Sequence, residues 1–395
     1  MAEVLRSTFA SLPQLAKFAI TLAVFVGIPP LARRIRMPEQ VGLILTGVVL
    51  GPHVLGLFGE NGPIAQFFSE LGKLLLLLFS IGLEVDVERF RGARTRSIVL
   101  GTLTTLVPLA FGATVARLLG AGVLPALAIG CVFAPHSLVA LPVVRDARAE
   151  PVLVTIGATV LSDALALLLF GLCVRSFENG FSWSGLGEHL LEIALLLPLV
   201  LVALARLGAH VLDRVRGNEP AHVVVLLAIM ATAGLLADAV RVPEIVGAFL
   251  AGLAVNGAVR THPARERVQF LGKALFIPSF FVVTGFLLDP VEIANDFGSD
   301  LRLVLGLLAA LVAGKALAAA LSGRAFGYAR ATRREIFALT LPLSEAAIAA
   351  AIVGRGAIGS GGEHLLDGRV LRVVVVVLLV TSIAGAWAAR RAEPA

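Results

Sequence analysis

The sequence predicts an all-α integral membrane protein of thirteen transmembrane helices, with two inverted-topology repeats and two crossing broken helices. Three observations predict it. Of 395 residues, 58% are hydrophobic and only 15% charged, with mean hydropathy +0.93; too little polar surface remains to coat a soluble fold of this size. Apolar runs of roughly 20 residues, the length that crosses a bilayer, recur along the chain between short Arg-rich loops. Finally, the phrase Arg36-Met37-Pro38-Glu39-Gln40-Val41-Gly42-Leu43-Ile44-Leu45-Thr46-Gly47 returns as Arg241-Val242-Pro243-Glu244-Ile245-Val246-Gly247-Ala248-Phe249-Leu250-Ala251-Gly252, identical at seven of twelve positions. A second echo follows in order: Leu71-Gly72-Lys73 with Leu271-Gly272-Lys273, then Gly82 and Asp86 with Gly285 and Asp289.

Taken in order, the spans are expected near 13–32, 39–57, 64–83, 97–119, 123–144, 151–174, 186–207, 221–240, 243–258, 270–288, 301–322, 335–353 and 370–389. The first runs into Arg33-Arg34 without a small-residue cleavage site, so it reads as a retained helix, not a signal peptide. The second and ninth open with the repeated phrase. The ninth comes seven spans after the second, an odd offset, so the copies cross the bilayer in opposite directions. Inverted repeats of this kind mark secondary transporters.

Arginine placement orients the chain and removes a nucleic-acid reading of its pI near 10. Loops after odd-numbered spans hold twenty Arg, and the N-terminal segment, the even loops and the span ends beside them hold eight. The positive-inside rule then puts the N-terminus outside and the C-terminus in the cytoplasm of a multi-pass cell-membrane protein. Loops near 175–186 and 289–300 are too short for a soluble domain. Cys131 and Cys173 fall inside apolar spans, where buried small residues are expected rather than a disulfide framework. Gly354-Arg355-Gly356-Ala357-Ile358-Gly359 matches a dinucleotide fingerprint, but it follows a membrane helix where a strand is required, so it reads as a flexible external loop. No cofactor and no enzymatic chemistry are expected.

Chemistry in the bilayer must come from the few ionisable groups there, because a charge at mid-membrane costs at least about 2.5 to 3.5 kcal/mol. Asp163, next to Ser162, lies midway along the sixth span with no neutralising charge nearby in sequence. A lone carboxylate binds a monovalent cation or a proton, but not readily both, and that competition is the minimal chemistry of exchange. Lys315 is the only lysine deep in a span; its natural partner is Asp163, as a pair that opens when a cation takes the carboxylate. The fifth and twelfth spans share Pro135-His136-Ser137 and Pro342-Leu343-Ser344. Each proline removes a backbone donor, so both spans should be broken helices that meet near the midplane. Glu345 would compensate the helix N-terminal ends there, and His136 is read equally as a packing residue or a proton sensor.

These residues resemble the monovalent cation:proton antiporter-2 family over nearly the whole chain. The run Leu74 to Asp86 is similar to that family's Leu-rich third helix ending in Gly-Leu-Glu-x-Asp. Phe280 to Asp289 resembles its Phe-Phe-x-x-x-Gly-hydrophobic-x-x-Asp segment. Gly314-Lys315 matches the position of its lysine, Ser344-Glu345 its Gly-Glu, and Asp163 the second acid of its ion-binding pair. The chain departs from the family pattern at Ser162, where relatives have Asp, Asn or Gln, and at Phe133-Ala134, where relatives often have Thr-Ser. The resemblance implies the sodium/proton antiporter fold: two six-helix repeats joined by a linker helix. It implies scaffold helices in 1–92 and 220–292, an ion-transport core in 93–178 and 293–395, and the linker in 179–219. It further implies a homodimer formed through the scaffold, and vertical movement of core against scaffold.

The expectation is therefore exchange of a monovalent cation, sodium first with potassium or lithium as the other candidates, for protons by alternating access, with Asp163 as the shared site and Lys315 stabilising its empty state. Potassium/proton exchange is the alternative within transport, although the potassium-handling relatives carry a nucleotide-binding domain not expected here. The loss of one pair residue leaves open a non-exchanging sensor or binding protein that keeps the fold. A channel is a third reading, distinguished by flux without counter-transported protons.

Overall fold

The computed structural model describes residues 11–35, 37–58, 77–84, 94–138, 149–215, 217–240, 242, 244–259, 263–295 and 297–392. These are all-helical with no strand among them; eight helices are long and apolar enough to cross a membrane, and three shorter apolar helices accompany them. In chain order they are α1 (Gln14–Arg34), α2 (Glu39–Leu50), α3 (Leu77–Glu84), α4 (Arg94–Leu118), α5 (Val123–Val132), α6 (Glu150–Asn179) and α7 (Trp183–Pro198). A π-helical stretch, Leu199–Leu204, leads from α7 into α8 (Ala205–Arg214), followed by α9 (Glu219–Ala239), α10 (Glu244–Val259) and α11 (Pro263–Leu271). A second π stretch, Gly272–Phe276, precedes α12 (Ile277–Phe286), α13 (Pro290–Asn295), α14 (Phe297–Ala325), α15 (Arg330–Thr340), α16 (Glu345–Gly356) and α17 (Gly368–Ala392). Arg36, Lys73, Asp86, Arg241 and Pro243 of the repeated motifs lie outside the described residues.

The backbone divides into two compact units, one of residues 1–83, 201–233 and 248–298 and the other of 84–200, 234–247 and 299–395. In the first, the repeated glycines explain themselves. A methyl group on Gly47 would fall on the Val282 backbone, and one on Gly285 would fall on Ile44 and Val48, so α2 and α12 touch backbone to backbone. Gly252 meets Phe79, and Gly82 meets Phe249 and Leu253, in the same way between α10 and α3. The pairings are exchanged copies of each other: Ile44 and Phe249 hold the same place in the repeated phrase, as do Gly47 and Gly252. Small residues let membrane helices approach closely enough for dispersion to hold them. Asn256 of α10 then donates to the carbonyls of Gly82 and Leu83 at 3.1 and 2.8 Å.

The second unit packs α4 against α5 and α6, and α17 against α15 and α16. Gly101 meets Ala158 and Leu161 on α6, and Gly130 of α5 meets Leu109 and Ala113 on α4. Its two apolar spans that contain the shared proline motif are interrupted, since α5 stops at Val132 and the chain is non-helical between Thr340 and Glu345. The segment Gly354 to Gly359 is not the flexible loop expected from its composition: Gly354, Arg355 and Gly356 form the last turn of α16, and the residues that follow are hydrogen-bonded. Gly359 N–H donates to Glu363 at 2.8 Å and Leu365 N–H to Ala357 at 3.0 Å, closing a short antiparallel turn.

Candidate cation and proton site

All the candidate site residues lie in the second unit, and the two helix breaks create their setting. His136 and Leu343 form an antiparallel bridge where the breaks meet. Ser137 N–H donates to the Pro342 carbonyl at 2.9 Å and Ser344 N–H to the Pro135 carbonyl at 3.4 Å, so each break satisfies polar backbone stranded by the other. Leu343 N–H is taken by the Thr381 hydroxyl of α17 at 3.1 Å. With no water to solvate them, unpaired backbone groups at this depth would each cost several kcal/mol.

Ser344 caps α16 by accepting from Ala346 N–H at 3.3 Å, and its hydroxyl faces the Asp163 carboxylate on α6. Asp163 is 2% exposed. Its Oδ1 has no hydrogen-bonding partner among the described residues. Glu345 and Lys315 are the charged groups that act on it electrostatically. Glu345 occupies the first turn of α16, where a negative charge complements the helix dipole, and accepts from the Ser137 hydroxyl at 3.5 Å. Ser162 is fully buried and shares a 3.0 Å hydrogen bond with Thr105 of α4. Because Thr105 already donates to the Gly101 carbonyl at 2.7 Å, the Ser162 hydroxyl is the donor of that pair.

Lys315 on α14 is fully buried, and its ammonium is seated on neutral acceptors. It donates to the Thr104 carbonyl at 2.9 Å, the Ala134 carbonyl at 2.5 Å and His136 Nδ1 at 3.4 Å. Three N–H groups find three acceptors, and none is the Asp163 carboxylate, with which the interaction is electrostatic only. Prolines supply the seat. Pro108 inside α4 has no N–H to offer the Thr104 carbonyl one turn back, and the break at Pro135 ends the ladder that would have served Ala134. Gly314 lets α14 approach close enough, since a methyl there would stand 2.7 Å from Pro108 Cα.

His136 is the other face of this seat. Its Nδ1 faces an ammonium and must accept, so Nε2 carries the proton and donates to the Thr159 hydroxyl at 3.1 Å, which in turn donates to the Thr155 carbonyl at 3.0 Å. The sequence reading named Asp163, Ser162, Lys315, Pro135, His136, Ser137, Pro342, Ser344 and Glu345. It did not reach Thr104, Thr105, Pro108, Thr159 or Thr381, for which a proline in mid-span at position 108 was the one available signal.

Against known proteins, residues 20–390 match the family model for the transmembrane sodium/hydrogen exchanger. The chain belongs to that family. It is similar to the Na+/H+ antiporter NhaS5 of Synechocystis sp., 35% identical over 95% of this chain and 55% of the relative, so it spans about half that protein's length. It also resembles the probable Na+/H+ antiporter 3 of Methanocaldococcus jannaschii, 27% identical over 92% of each. Among solved structures, the sodium proton antiporter MjNhaP1 of M. jannaschii superposes with a TM-score of 0.75 over 96% of this chain and 97% of that one at 17% identity, which establishes a shared fold.

Proposed function

We propose that this family member exchanges sodium for protons across a membrane, with Asp163 holding the two in turn. One observation carries the reading: a buried carboxylate keeps an oxygen with no partner, while the nearest ammonium spends its hydrogen bonds elsewhere. An intramembrane acid left in that state is a functional site before it is a structural one. The Ser344 hydroxyl supplies a neutral oxygen beside it, and Ser162 a second on the same helix. A sodium ion arriving at Asp163 gives the charge that a departing proton takes away, so the site returns to the same net charge. Lys315, as a fixed cation, offsets the carboxylate while neither ligand is bound. We assign residues 93–178 and 293–395 to the part that carries the site between the two membrane faces, and expect a homodimer with its N-terminus outside.

The family match and the antiporter relatives support transport chemistry rather than catalysis. The test is purified protein in liposomes with an internal pH dye. Sodium gradients should drive proton movement in the opposite direction. Equal response to potassium would move the assignment to potassium/proton exchange, and cation flux without proton movement would overturn exchange altogether.

A further inference from the structure

A cavity of about 280 Å3 lies in the second unit between α14 and α15, lined by Ala316, Ala320, Arg330, Arg333, Arg334 and Phe337. Its charge is of one sign. Arg330, Arg333 and Arg334 sit in the first turns of α15, which has no acidic residue in its first turn, and Glu335 is not part of the lining.

Some arginines of this chain have carboxylates: Arg96 pairs with Glu150, Arg175 with Glu192, Arg267 with Glu219 and Arg33 with Glu39. Apart from the backbone bond of Arg333 N–H to the Ala329 carbonyl at 3.1 Å, the three at the cavity make no side-chain hydrogen bond or ion pair with the described residues. Arg333 Nε is moreover buried without an acceptor, a donor whose desolvation must be compensated. Its methylene stem lies over Gly323, where a methyl would collide with it, so α14 holds the guanidinium in place.

The cavity's floor is apolar. Ala316 and Ala320 stand one turn apart on a face of α14 that also exposes Val312, Leu317 and Leu321, the face that meets hydrocarbon in a spanning helix. Small side chains there make a groove that runs from the arginines along α14. A site with planar N–H forks at one end and an apolar furrow at the other has the two chemistries of a phospholipid: an anionic phosphate and its acyl chains.

We propose that this cavity binds the headgroup of an anionic phospholipid, with the phosphate on Arg330, Arg333 and Arg334 and an acyl chain along Ala316 and Ala320. The inference is independent of the exchange reading. Native mass spectrometry of the full chain in detergent, with added phosphatidylglycerol, phosphatidylcholine or inorganic phosphate, tests it. Phosphatidylglycerol should be retained at one molecule per chain in preference to phosphatidylcholine. Replacing all three arginines (R330Q, R333Q, R334Q) should weaken that retention on the order of 100-fold, about fivefold for each charge removed, and an R390Q, R391Q control should leave it intact. If the triple variant does not fold, the exposed single change Arg334→Gln should still cost about fivefold. Equal retention of the two lipids, retention unchanged in the arginine variants, equal loss in the control, or displacement by millimolar inorganic phosphate would each overturn the proposal.

Discussion

Two buried aspartates in the same unit are treated in opposite ways. Asp300, at the start of α14, has the Arg372 guanidinium of α17 against it at 3.2 Å. Asp163 has a hydroxyl facing it and a lysine that acts from beyond hydrogen-bonding contact. A carboxylate locked to a guanidinium is a strut, because releasing it leaves two buried charges uncompensated. Both carboxylates keep an Oδ1 without a partner among the described residues, so the distinction is the counter-charge: one that acts only from beyond hydrogen-bonding contact lets Asp163 accept a ligand at little cost. The difference lies in contact, and both residues look alike in composition: single acids in or beside apolar helices.

The largest contrast should come from parallel substitutions. Asp163→Asn is expected to bring sodium-driven proton movement down to the background of empty liposomes, with little loss of melting temperature, because the amide keeps the shape but cannot trade a proton for a cation. Asp300→Asn should do the reverse, keeping exchange and lowering the melting temperature, since breaking a buried pair costs about 3 kcal/mol or more. Loss of exchange in both, or in neither, would erase the distinction drawn between them.

Next in size is Gly314→Ala. The added methyl would stand 2.7 Å from Pro108 Cα, and backbone cannot yield as a side chain can. Forcing α14 and α4 apart should cost about 1 to 3 kcal/mol and unseat Lys315, read as lower melting temperature together with slower exchange.

Lys315→Gln should lower the melting temperature, because an amide has two donors for three acceptors and Asp163 loses its counter-charge. Exchange should survive at a reduced rate. In the wild-type protein, a potential imposed with valinomycin and potassium should leave the exchange rate unchanged, because Lys315 stays seated and one proton trades for one cation. Voltage-dependent rates would mean that Lys315 releases its proton during the cycle. The smallest effect is expected at Ser162→Ala, which removes one neutral oxygen and a hydrogen bond worth about 1 kcal/mol and should weaken apparent sodium affinity about fivefold without abolishing exchange.

Much of this site was legible because charges and prolines are expensive in a bilayer. Asp163, Lys315, Glu345 and the two proline motifs stand out against apolar neighbours, and the repeated phrase located the glycines that pack α2 on α12 and α10 on α3. What could not be read was which groups touch. Opposite charge argued for a direct Asp163 and Lys315 pair, but an ammonium satisfies its donors wherever acceptors are stranded, and Pro108 and Pro135 strand two of them at the same place. Thr104, Thr105, Thr159 and Thr381 were silent because threonine is ordinary in membrane helices, where its hydroxyl can bond its own backbone. Similarly, Gly354 to Gly359 promised an open loop by composition, but its first half completes α16 and the backbone hydrogen bonds of the rest depend on the segment near His364, which sequence spacing does not announce.

The central claim is that proton and cation compete for one carboxylate, and proton release on sodium binding measures it without transport. Wild-type protein in weakly buffered detergent solution, titrated with sodium chloride beside a pH indicator, should release up to one proton per ion bound, with apparent sodium affinity falling as the pH is lowered. Asp163→Asn should release none. Sodium binding without proton release in the wild type, or undiminished release from the asparagine variant, would contradict the account.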